Sequence, residues 1–189
     1  MNAASSTEAE SPHADPEIGL AMGPDPSNSA QSSSREKVLE HLFVGDLLRC
    51  LWRIGAHDIE VLRAEVDKGG YDLVLEANGV IRHVQLKSSH RTATTREVGV
   101  NINLARKPCG CVLWIQFDPV TLELGPFLWF GGEPGCRLPA LGDRIGRHTK
   151  GDRTGHKAER PNIRVLGRSQ FQSLPSIEAV ARALFGTTA

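Results

Sequence analysis

The sequence predicts an α/β domain of α+β character, a central β-sheet flanked by helices. Three features point to it. Segment 35–54 carries apolar residues at helical spacing. Asn78-Gly79 lies between two runs rich in Val, Leu and Ile. Segment 176–185, SIEAVARALF, is a second amphipathic stretch, stopped by Gly186.

In order along the chain, Ser33-x-x-Glu36 fits a capping box and Gly55 a C-terminal stop, which brackets a first helix of about five turns. At 100° per residue, Glu40 falls within roughly 60° of Phe43, Val44, Leu47, Leu51 and Ile54, inside the apolar stripe. An unpaired buried carboxylate is costly, so a residue so placed has a partner or a function. Residues 57–64 alternate as a first strand, and 65–69 turn the chain. Asn78-Gly79 then favours a type I′ hairpin, because both of its residues tolerate a positive φ. A two-residue loop sets the register: Ala77 opposite Val80, Glu76 opposite Ile81, Leu75 opposite Arg82, Val74 opposite His83, Leu73 opposite Val84, Asp72 opposite Gln85. Alternation gives one face Tyr71, Leu73, Leu75, Ala77, Val80, Arg82, Val84 and Leu86, a core face apart from the arginine. The other face gathers Asp72, Gln85 and Lys87 at the end far from the turn, with opposed Cβ atoms roughly 5 Å apart.

Further on, Val98, Val100, Ile102 and Leu104 alternate as a strand. Residues 111–117, CVLWIQF, form a buried strand, and 127–130, FLWF, another. Trp114 and Trp129 are core residues. Segment 143–168 holds eight Lys or Arg against three acids and, with its glycines, is expected to be a flexible basic arm. Residues 164–171 are expected to form a last strand.

A helix with an inward Glu, a strand, then a hairpin carrying Asp and Gln-x-Lys resembles the PD-(D/E)xK nuclease superfamily, the restriction-endonuclease-like fold. The likeness is good over residues 35–89 and looser elsewhere. It implies a central mixed sheet with an αβββαβ core, in which a helix would more usually follow the hairpin. Asp72 corresponds to the family's acid, Gln85-Leu86-Lys87 to its tripeptide in a Gln variant, and Glu40 to the first-helix Glu. Gly69-Gly70 resembles the lead-in, with Asp67 before it, and Tyr71 stands where the naming Pro would be. The resemblance implies a metal-dependent endonuclease hydrolysing DNA phosphodiesters, in defence or repair. Asp72, Gln85 and Glu40 would be ligands of Mg²⁺ or Mn²⁺, and Lys87 would position the attacking water. The alternative is an inactive nuclease-fold module that binds nucleic acid or a protein partner, which Gln in place of an acid favours. An exposed Glu40, or a basic arm packed away from the hairpin, would instead favour an α/β domain with no nucleic-acid role.

Composition agrees with a polyanion partner. The chain of 189 residues has 22 basic and 22 acidic side chains. Residues 1–34 hold five of the acids (Glu8, Glu10, Asp15, Glu17, Asp25) and no Lys or Arg, so residues 35–189 carry 22 basic against 17 acidic, a net +5. The sequence therefore divides into an acidic Ser/Ala/Pro-rich tail, expected to be disordered, and a single domain over 35–189. Expected nucleic-acid contacts are Arg91 and Arg96 after the hairpin and Arg147, Lys150, Arg153, Lys157 and Arg160 in the basic arm. Cys50, Cys109, Cys111 and Cys136 lack zinc spacing and are expected to be core or surface thiols. No apolar run suits a membrane span and no secretory signal is visible, so a cytoplasmic protein, possible as a homodimer, is expected.

Overall fold

A computed structural model of the chain describes residues 32–66, 68–148 and 153–186. Helix α1 (Ser32–Arg53) leads into a meander of β1 (Glu60–Arg63), β2 (Leu73–Ala77) and β3 (Val80–His90). A crossover of β4 (Glu97–Asn101) and a short 3-10 helix (Ile102–Arg106) brings the chain to β5 (Gly110–Phe117). Then follow β6 (Leu124–Gly131), β7 (Ile145–Arg147), β8 (Glu159–Gly167), β9 (Gln172–Leu174) and α2 (Ile177–Phe185). Six strands form one mixed sheet in the order β1-β2-β3-β5-β6-β9, and β4-β8-β7 form a second, three-stranded sheet. Within the large sheet β3 and β5 pair in parallel, and the other pairs are antiparallel.

The hairpin register is the one its turn chemistry dictates. Asn78 and Gly79 sit at φ 52° and 70°, and the ladder runs from Ala77–Val80 to Leu73–Val84. Both helices lie on one face of the large sheet. There Phe43, Leu47, Leu51, Val180 and Leu184 pack on Leu73, Leu75, Val84, Leu113 and Trp129. The opposite face is covered by the small sheet and the 3-10 helix, through Val100, Leu104 and Leu166 against Val112, Trp114 and Phe130. Coverage on both sides explains why β5, apolar but for Gln116, has all eight of its residues buried.

The exception on the hairpin's core face, Arg82, is fully buried at 0 % exposure. Its Nε donates to the Leu184 carbonyl at 2.7 Å, and its Nη2 donates to the Ala183 and Gly132 carbonyls at 2.9 and 3.0 Å. The guanidinium thus caps the C-terminal turn of α2, where helix carbonyls lack intrahelical donors and carry partial negative charge. It also lies 5.4 Å from the centroid of the Trp129 ring.

Several sequence expectations are corrected. The first strand is confined to Glu60–Arg63, and Ser33 stands inside α1, not at its cap. Tyr71 belongs to the opposite face: its ring meets His83 edge-on at 4.9 Å and packs on the second core. Alternation fails there because Gly70 turns the chain at φ 73°, where an added Cβ would stand 2.8 Å from Asn101. The Val98–Leu104 alternation ends as a strand at Asn101, whose side chain accepts from the Asn103 N–H and starts the 3-10 helix. That crossover stands where the family resemblance calls for a helix.

The basic segment is not simply a flexible arm: β7 and the nine-residue β8 lie within it and pair with each other, and β8 also pairs with β4. The segment expected as a last strand, 164–171, holds the end of β8 and a turn of 3-10 helix, with β9 following. Residues 1–31 of the expected tail, and Asp67 and Lys150, lie outside the described residues, whereas 32–34 are helical.

Removing the Arg82 side chain leaves three carbonyls without their donor and a cavity in the main core. Arg82→Ala is expected to cost on the order of 3 kcal/mol or more, read as a lower urea midpoint. Arg82→Lys keeps the charge but loses the fork, and its midpoint is expected to fall between those of wild type and Arg82→Ala.

Candidate active-site cleft

Past Leu73–Val84 the two hairpin strands separate. The Asp72 N–H still donates to the Val84 carbonyl at 2.9 Å, but the ladder does not continue to Gln85. Instead the Asp72 carboxylate replaces the missing strand partner, and its Oδ2 accepts from the Leu86 N–H at 2.6 Å. This opening between β2 and β3 meets the first turns of α1 and forms a cleft of about 490 Å³, lined by Glu36, Lys37, Glu40, Asp72, Lys87 and Ser88 among others. Of the four residues expected within one cation's reach, Asp72, Lys87 and Glu40 line this cleft and Gln85 does not.

Glu40 is inward-facing, as the helical spacing requires, with 6 % of its surface exposed. Its burial is compensated on both oxygens. Arg63 Nε, from β1, donates to Oε1 at 2.8 Å, and Lys37 Nζ, one turn earlier on α1, donates to Oε2 at 2.9 Å. Arg63 also reaches His41 Nδ1 at 3.2 Å. Burial by itself raises the Glu40 pKa. The hydrogen bonds and charges of Lys37 and Arg63 together outweigh it and hold the carboxyl below its ordinary value of 4.5. Lys37 was legible as an i, i+3 partner of Glu40. Arg63 had no local signal, since 23 residues separate the pair.

Gln85 lies apart from these residues. It is buried at 6 % exposure, and its Oε1 accepts from the Asn101 N–H at 3.3 Å, tying β3 to β4. It does not line the cleft. Among the described residues no three His, Cys, Asp or Glu side chains gather as a metal-binding group. Asp72 and Glu40 nevertheless suit a hard cation, because Mg²⁺ is commonly held by one or two carboxylates, with water and phosphate oxygens completing its shell.

The expected nucleic-acid contacts separate into groups. Arg91 is tied down, with Nε donating to the Gly125 carbonyl at 2.6 Å and Nη1 to Glu123 at 3.2 Å. The exposed Arg96 uses its carbonyl to accept from the Arg168 N–H at 2.7 Å. Arg147, Lys157 and Arg160 line a groove of about 840 Å³ over the small sheet, together with Arg144 and His148. Glu97, Asp143 and Glu159 line it too, and Arg144–Glu97 and Arg147–Glu159 are ion pairs. Arg153 is exposed in the connection between β7 and β8. The groove shares no lining residue with the cleft and belongs to the layer across the sheet from α1, so the described residues of the basic segment do not converge with the cleft, the outcome that favours an α/β domain with no nucleic-acid role.

No protein-family model, curated protein or solved structure matches the chain. No helix among the described residues is long and apolar enough to cross a membrane. Cys50, Cys109 and Cys111 are buried thiols and Cys136 an exposed one.

A depressed carboxyl pKa stabilises the folded state above the unfolded value and loses that contribution as the pH falls through the folded one. Glu40→Gln is therefore expected to lower stability at pH 7. The gap to wild type is expected to close as the pH falls below 4.5 and through the lowered folded value, measured by urea unfolding along a pH series.

Proposed function

We propose that the chain is a metal-dependent nuclease-type hydrolase of DNA phosphodiesters, acting at the cleft between α1 and the open end of the hairpin. The observation that carries this reading is that two carboxylates from different elements, Asp72 and Glu40, line one cleft with Lys87. Asp72 and Glu40 would hold a Mg²⁺ or Mn²⁺ ion. When bound, such an ion supplies charge neutralisation at the phosphate and a more acidic water. Asp72 is pre-oriented by the Leu86 N–H, so its carboxylate is fixed before any ligand arrives. Lys87 sets a cation in the same cleft, where it offsets negative charge developing on the phosphoryl oxygens and orients the attacking water.

A second reading is favoured by a specific observation. The amide oxygen of Gln85 is taken by the Asn101 N–H and both oxygens of Glu40 by cations, which suits a non-catalytic nuclease-fold module that binds nucleic acid. A cytoplasmic setting and a homodimer remain parts of the proposal.

The test is Mg²⁺- or Mn²⁺-dependent cleavage of plasmid and single-stranded DNA. Asp72→Ala and Lys87→Ala are each expected to lower the rate by about 100-fold or more. Cleavage that survives both substitutions would remove the cleft as the active site. Absence of cleavage with DNA binding that weakens steeply with salt in all three proteins would establish the binding module instead.

A further inference from the structure

The two cations on Glu40 do different work, and the difference rests on the metal reading of the cleft. Arg63 reaches Oε1 from β1 and does not line the cleft. Lys37 does line it, reaches Oε2, and belongs to the same helix as Glu40. The Lys37 side chain is 70 % exposed, so its ammonium can exchange the carboxylate for water at little cost, whereas Glu40 is buried and cannot relax into solvent. From this geometry we infer that Lys37 is a displaceable stand-in for a divalent cation at Glu40, and Arg63 is the positioning residue that keeps the carboxylate in place during the exchange.

A carboxylate with 7 % of its side-chain surface exposed needs a compensating positive charge whether or not a metal is present. Lys37 and Arg63 supply it. Asp72 and Glu40 would hold a divalent cation between them, and its larger charge would then replace that of the ammonium at Glu40. Lys37 would then be released within the cleft it already lines, where a phosphate group would be its new partner. Nothing covalent changes: the ammonium keeps its proton, and one ion pair on Oε2 replaces another. The arrangement keeps the folded cleft stable without metal and makes metal entry a competition with an internal cation.

The experiment is Mn²⁺ binding to the full-length chain, followed by the loss of the free Mn²⁺ electron paramagnetic resonance signal. Wild type is compared with Lys37→Gln, Glu40→Gln, Lys37→Gln/Glu40→Gln and Asp72→Ala. Lys37→Gln is expected to bind Mn²⁺ about fivefold tighter, the scale of one exposed ion pair, and to bind inorganic phosphate more weakly in the presence of Mn²⁺. In the Glu40→Gln background the Lys37 effect is expected to vanish. A Lys37 effect that persists there is only long-range charge and overturns the inference. Mn²⁺ binding lost in Asp72→Ala but unmoved by Lys37→Gln overturns it while leaving the metal reading intact. Absence of Mn²⁺ binding in both wild type and Lys37→Gln overturns the metal reading and this inference with it. Should Glu40→Gln not fold, Glu40→Asp serves, since shortening the side chain withdraws its carboxylate from Lys37.

Discussion

A guanidinium buried among apolar side chains, with no ion pair among the described residues, is tolerable only if its protons find oxygens. Arg82 finds them on the last turn of α2 and on Gly132. Those carbonyls come from segments about 50 and 100 residues further along the chain. The hairpin, the end of β6 and the C-terminal helix therefore have to assemble together, or a charge is left stranded in the core. The compensation is incomplete, as Nη1 has no hydrogen-bond partner among the described residues, and the Trp129 ring face takes up part of the deficit. With α2 fixed over β3 and β6 in this way, α1 packs beside it, and the packed α1 delivers Glu40 to the hairpin's open end.

That open end depends on a backbone event. Where β2 and β3 stop pairing, strand edges are left without partners, and the Asp72 carboxylate takes over one of them at Leu86. The same carboxylate therefore bridges the separated strands and lines the cleft. Glu40 has a similar double role, anchoring β1 to α1 through Arg63 while presenting its other oxygen to the cleft side. Polar groups at this junction are structural first, and any chemistry there uses groups that the fold already needs.

Much of this was legible in the chain, for local reasons. The Asn-Gly turn has few alternatives, and a two-residue loop leaves only one register, so the pairing of Leu73 with Val84 followed from the sequence. Glu40 was legible because helical spacing places it in the apolar stripe. Strand β7 and the first part of β8 were hidden: β8 is exposed over residues 159–162 and has no alternation of burial, and its pairing with β4 joins residues as far as 70 positions apart, such as Glu97 and Gly167. Tyr71 was misassigned because a positive φ at Gly70 and the early end of the ladder break the alternation that the two-face reading extends.

The sequence by itself determined the identity of the two helices, the hairpin and its register, the burial of β5, and the placing of Asp72 and Lys87 at the hairpin's open end. These depend on contacts a few residues apart or on turn geometry, which local propensity and periodicity encode. Only the tertiary structure decided that Gln85 turns to Asn101 and not to the cleft, that Arg63 reaches Glu40, that Arg82 caps α2, and that the described residues of the basic segment lie on the layer across the sheet from α1. Each of those outcomes is a choice of partner among distant segments, made by desolvation: a buried polar group goes to whichever complementary group the packed layers bring within reach.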